Sequence, residues 1–183
     1  MTDETTNADS KHEAANLESI IVDPVDVIEM FRRNARDADE QRTHVLRVTP
    51  PFEGDREASL FVSEGHTFYP PEIDPKPIHI GINHLFGGRA DSPLDDALRY
   101  PDLHTEKALV RDEFDARTEQ GENRPPTDEE AEEWNEWWDT AIEVWESNVR
   151  NAMQEPREIE LGGLYADQPT TTVTVRVENT TDE

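Results

Sequence analysis

His79 and His84, five residues apart, are the closest pair of imidazoles in a chain that has six histidines and no cysteine. Without thiolates, a metal centre would have to be built from imidazole and carboxylate alone. On a strand these two rings point to opposite faces, because side chains alternate with period two. They converge only where Gly81 bulges the strand or where the strand ends at Asn83. His44 and His66 could join them from neighbouring strands, a convergence that spacing leaves open. The expectation is histidines that are solvated or hydrogen-bonded, with no metal and no cofactor.

Gly87, Gly88 and Arg89 precede Ser92-Pro93, a helix start. Glycines leading into a helix N-terminus beside an arginine can form an anion-binding nest. The plainer reading is a turn that joins strand to helix. No serine sits in a Gly-x-Ser-x-Gly elbow, and the glycines form neither a P-loop nor a dinucleotide fingerprint. No catalytic residue is therefore assigned.

Arg32, Arg33, Arg36, Arg42 and Arg47 make the locally basic segment of a strongly acidic chain. The first three close a helix, where cations suit the negative end of the macrodipole, and Asp37, Asp39 and Glu40 are at hand for ion pairs. The functional alternative is a phosphate or acidic-partner contact, for which arginine's planar fork is suited.

What positions these groups is a set of readable elements. All four tryptophans (Trp134, Trp137, Trp138, Trp145) fall between Pro126 and Glu155. Thr127 and Glu130 form a capping box at its start, and Pro156 ends it. Ala131, Trp134, Trp138, Ile142, Trp145, Val149 and Met153 share one face of that helix, and Trp137 and Val144 widen it to roughly half the circumference. An ordinary surface helix has a stripe of ~100°. A face this wide is expected to touch two things, so Trp137 and Val144 are read as a docking flank. The competing cover is the helix expected over Thr105–Thr118. Asn148 interrupts the apolar side; it either finds a partner in the core or specifies how another chain docks.

Asp23-Pro24 opens a short helix that ends near Ala35. Thr43–Thr49 and Glu57–Ser63 alternate as an antiparallel hairpin. Ile78, Ile80 and Ile82 give a third strand, a one- or two-turn helix runs from Ser92 to Pro101, and Glu158–Leu161 and Thr171–Val177 complete the sheet. Strands at the ends and helices in the middle argue an α+β fold: a mostly antiparallel sheet of about five strands, helices on one face, the tryptophan helix as main cover. Residues 1–17 are expected to be a disordered acidic tail, 18–178 a single domain and 179–183 a second tail.

The chain has 183 residues and a formal net charge of −26, with 17 Lys and Arg against 43 Asp and Glu. The acidity is dispersed through segments with clear apolar periodicity, which fits a salt-loving archaeon better than disorder. In molar salt the Debye length shrinks to ~3 Å, so such a surface repels itself little. There is no signal peptide, and the longest aliphatic run is Ile20-Ile21-Val22, so a soluble, cytoplasmic protein without a membrane span is expected. Thr43–Phe52, with its paired prolines, together with the proline-rich Tyr69–His79, resembles uncharacterised small acidic proteins of haloarchaea. That resemblance implies salt adaptation and carries no activity.

The functional expectation is a non-enzymatic interaction or adaptor domain that meets a protein partner or a second copy. The alternatives are a small-molecule or anion-binding domain, conceivably an enzyme, using Gly87–Ser92, and nucleic-acid association through Arg32–Arg47, which the net charge opposes.

Overall fold

The centre of the sheet is β1 (Asn16–Val22), a strand that the sequence does not announce by alternation. The computed structural model describes residues 14–37, 42–64, 69–70, 72–87, 94–101, 128–162 and 170–178. In chain order β1 is followed by α1 (Pro24–Arg36), β2 (Arg42–Val48), β3 (Glu53–Glu64), β4 (Ile78–Ile80) and α2 (Ile82–Phe86). A 3-10 turn (Asp96–Leu98), α3 (Asp128–Ala152), β5 (Arg157–Gly162) and β6 (Thr170–Val177) complete the described elements.

These strands form one six-stranded sheet in the order β4-β2-β3-β1-β6-β5. β1 is parallel to both of its neighbours, β3 and β6, whereas β2–β3, β2–β4 and β5–β6 are antiparallel. The fold is α+β, but the expected mostly antiparallel sheet of about five strands is overturned on count and on kind. A strand flanked by parallel partners buries side chains on both faces, so it reads as a run rather than an alternation. Ser19, Ile20 and Val22 are all buried. β3 is longer than its alternation suggests because its first half, Glu53–Glu57, pairs with β1 and its second half pairs with β2.

The tryptophan helix is not the main cover either. That role falls to α1, which starts where Asp23 accepts a hydrogen bond from Val25 N and Pro24 occupies the first turn. Val27, Ile28, Met30 and Phe31 are buried against Leu46, Val48 and Ile80 of the sheet. Burying each such side chain is worth about 1.5–3 kcal/mol. Among the described side chains of α3, Trp145 and Val149 of its C-terminal half are buried in this core, with Met153 just past its end. The pattern of α3 shows an apolar face but not which element claims the sheet, and α1 lies over β2 and β3. Trp145 packs edge-on against Phe31 and Tyr100, with ring centroids 5.6 Å and 4.8 Å away.

On the other side of the sheet's middle, a polar cluster ties three parallel strands. The Ser19 hydroxyl donates to Asp55 Oδ1 at 2.5 Å and accepts from Arg176 Nε at 3.0 Å, while Arg176 also pairs with Asp55. The expected tail boundary at 17 lies inside the sheet: β1 starts at Asn16, and Ala14 before it is fully buried. Residues 1–13 and 179–183 lie outside the described residues, as do the expected Thr105–Thr118 helix and the Thr127 cap.

Candidate functional site

α3 carries two of the large hydrophobic side chains that stay in solvent. Trp137 is 40% exposed and Val144 56%. At 100° per residue, seven residues bring the chain back to within about 20°, so the two lie one above the other on a single stripe. That stripe adjoins the buried side of the helix, where Trp145 is only 3% exposed. Trp138, within about 20° of Trp145 on the wheel, is half-buried, its ring 6.4 Å from that of Trp137. Exposed Glu133, Glu136 and Glu143 border the stripe on its solvent side. Asn148 sits on the same stripe one turn below Val144 and donates to the Ala97 carbonyl at 3.3 Å. With Trp145 Nε1 donating to the Leu98 carbonyl at 3.0 Å, it fastens the 3-10 turn to α3.

The basic segment is engaged with the chain's own acids. Arg32 pairs with Glu146 of α3, Arg33 with Glu29 at 2.8 Å one turn earlier, and Arg36 with Asp37 at 2.8 Å. Arg47 sits over the Phe61 ring at 4.1 Å. Of the acids expected to pair with the cluster, Asp37 does so, Asp39 and Glu40 lie outside the described residues, and Glu29 and Glu146 are the other two partners.

The histidines divide between two environments. His44 is on the α1 side of β2, its side chain 4% exposed, with Nε2 2.7 Å from Asp37 Oδ2. The Asp37 carboxyl is held down at about 2 by its hydrogen bonds, first to Arg36 and then to His44. An ionised carboxylate only accepts, so Nε2 carries the proton and Nδ1 is left as the second ring nitrogen, buried and without a partner. His79 is cross-strand from Arg47 and bonded to the Tyr69 hydroxyl at 2.7 Å. Burial, and then the Arg47 charge, lower its pKa below the usual imidazole value.

β4 ends at Ile80, and Gly81 caps α2 in an extended conformation, so His84 lies on a helix rather than on the strand of His79. Among the described residues no strand pairs with this edge of β2 beyond Leu46, whose partner is Ile80. There Asn34 of α1 takes over, bonding both backbone groups of His44. Between this edge, the C-terminal turns of α1, α2 and the segment 94–100 lies an open cleft of about 720 Å³. His44, His79 and His84 all contribute to its lining, as do Phe31, Ile82 and Tyr100. Among the described residues no group of three or more His, Asp or Glu is arranged to hold a metal ion. Gly87 has φ 81° and ends α2, a conformation that favours glycine. Gly88, Arg89, Ser92 and His66 lie outside the described residues.

Sequence reasoning missed the pairing of His44 with Asn34 and Asp37. One signal pointed that way: alternation puts His44 on the same side as Leu46 and Val48, and an imidazole on a core face needs partners.

A mixed-sheet α+β domain with a partly buried tryptophan helix is the class that fold and site define. The chain belongs to the family described as a domain of unknown function, DUF8009, whose model matches residues 6–179. Comparison with curated proteins and with solved structures finds no match.

Proposed function

We propose that this chain is a non-enzymatic interaction domain of a salt-adapted archaeal cytoplasm, and that α3 is the element it presents. The observation that carries the reading is the exposure of Trp137 and Val144, stacked on one stripe beside the buried face of the helix. Aromatic side chains, tryptophan above all, anchor the centres of protein interfaces. The acidic border of Glu133, Glu136 and Glu143 selects the occupant. Only charges brought into contact escape screening at ~3 Å; there a second copy would set carboxylate against carboxylate, whereas a partner with an apolar groove and a basic rim is complementary. Dispersed charge of −26 supports the salt-adapted setting.

A photo-crosslinking residue in place of Val144, used in the native host at its own salt concentration, tests this directly. The expected product is a cross-link to a groove-bearing peptide rich in Lys or Arg. Val144→Asp and Trp137→Glu should then keep the far-UV circular dichroism of the parent while losing affinity for that purified protein. A cross-link only to another copy of this chain, or a Val144→Asp protein that binds as well as the parent, overturns it.

A further inference from the structure

The cleft beside the β2 edge differs in charge from the rest of the molecule. Asp and Glu make up 43 of 183 residues, yet none lines the cleft among its described residues. Its polar lining is instead imidazole (His44, His79, His84), amide (Asn34, Asn83), the Thr43 hydroxyl and the Arg99 guanidinium. Two carboxylates stand next to these groups, and neither faces the cleft. Asp37 is bonded to Arg36 and His44, and Asp96 to Arg99 at 3.1 Å. The Arg99 pair is exposed on both sides, a kind of contact worth little, so its guanidinium can change partner. The remaining walls are apolar, with Phe31, Val45, Leu94 and Tyr100 among them, and the volume lies in the range of small-ligand sites. His44 adds a buried ring nitrogen that has no partner.

We propose that this cleft binds a small organic anion with a flat apolar body, its carboxylate, sulfonate or phosphate head set against Arg99. In molar salt the chain's distant charges are screened beyond about 3 Å, so an occupant meets the lining rather than the net charge. None of Trp137, Val144 and Asn148 lines the cleft.

The test uses two fluorescent probes of nearly one shape, anionic anilinonaphthalene sulfonate and neutral phenylnaphthylamine, titrated into the full chain in molar KCl. Arg99→Glu should weaken the anionic probe on the order of tenfold, the scale of one hydrogen bond to a charged group, and leave the neutral probe unchanged. Arg150→Glu makes the same charge change on exposed α3, away from the cleft, and should alter neither. Ala35→Trp, which fills the cleft from the exposed end of α1, should displace both probes. Circular dichroism of each variant establishes that it is folded. Equal losses in Arg99→Glu and Arg150→Glu would mean a long-range charge effect only and overturn the proposal. So would an Arg99→Glu protein that binds the anionic probe like the parent, or an Ala35→Trp protein that binds both.

Discussion

Asn34 completes the backbone hydrogen bonding of His44: its Nδ2 donates to the His44 carbonyl at 2.8 Å, and its Oδ1 accepts from the His44 N–H at 2.7 Å. One side chain of α1 thus does for β2 what a longer β4 would have done. Asn34→Ala leaves both backbone groups to whatever water reaches them, and we expect a loss of about 1–3 kcal/mol in denaturant melts. Amide exchange at His44 should accelerate by more than that of Leu46, which still has Ile80 across the ladder. Equal protection in parent and variant would contradict this role.

Asp37 predicts a branch of acid unfolding. Its carboxyl titrates at about 2 in the fold against an ordinary 3.8, so the unfolded chain takes up the proton first as pH falls. The stabilisation is present above 3.8 and disappears as pH drops toward 2. Asp37→Asn should flatten the melting-temperature profile across that window while lowering stability at neutral pH. A parent-like slope in the variant would show that other carboxylates govern the transition.

His79 acts in the same direction at higher pH. Burial and Arg47 lower its pKa below 6.5, so below that value the unfolded chain is protonated before the folded one. Stability should therefore fall as pH drops below 6.5, and His79→Gln should remove part of that slope. Proton NMR of the ring should show the neutral form persisting below 6.5.

The two ends of α3 should respond unequally to truncation. Trp145→Ala removes a buried ring, its contacts with Phe31 and Tyr100 and its bond to Leu98, and should cost about 3–5 kcal/mol. Trp138 is half-buried, and Trp138→Ala should cost clearly less. Equal losses at the two positions would mean that α3 is buried along its whole length.

Salt should govern folding as a whole. Raising KCl from ~10 mM, where screening reaches ~30 Å, to the molar range should increase helical circular dichroism and melting temperature. A fully cooperative melt of undiminished stability at the low end would refute adaptation to salt.

Local chemistry made some of this legible. Asp23-Pro24 marks the start of α1 because cap and proline act within one turn, and the alternation of β2 and β3 survives because each has a solvent-facing side. β1 escaped because its neighbours are parallel and its side chains are buried both ways. The wide apolar face of α3 was visible, but not how much of it the core would claim; that depends on α1 having taken β2 and β3. The cleft was not legible at all. It exists because β4 stops at Ile80 and Gly81 turns the chain, and neither event shows until the pairing of β4 with β2 is known.

The place of β1 bears on how a ribosome delivers this protein. Among the described strands the first in sequence pairs with the last: Val22 lies across from Val177, and Arg176 bonds Ser19 over a separation of 157 residues. β1 and β3 can zip as soon as both have been made, since residues 16–21 pair with 53–57. The other edge of β1 stays open until β6 has been made. Closing the sheet on β1 is thus a step of high contact order, and until β6 is available β1 keeps an unpaired apolar strand edge.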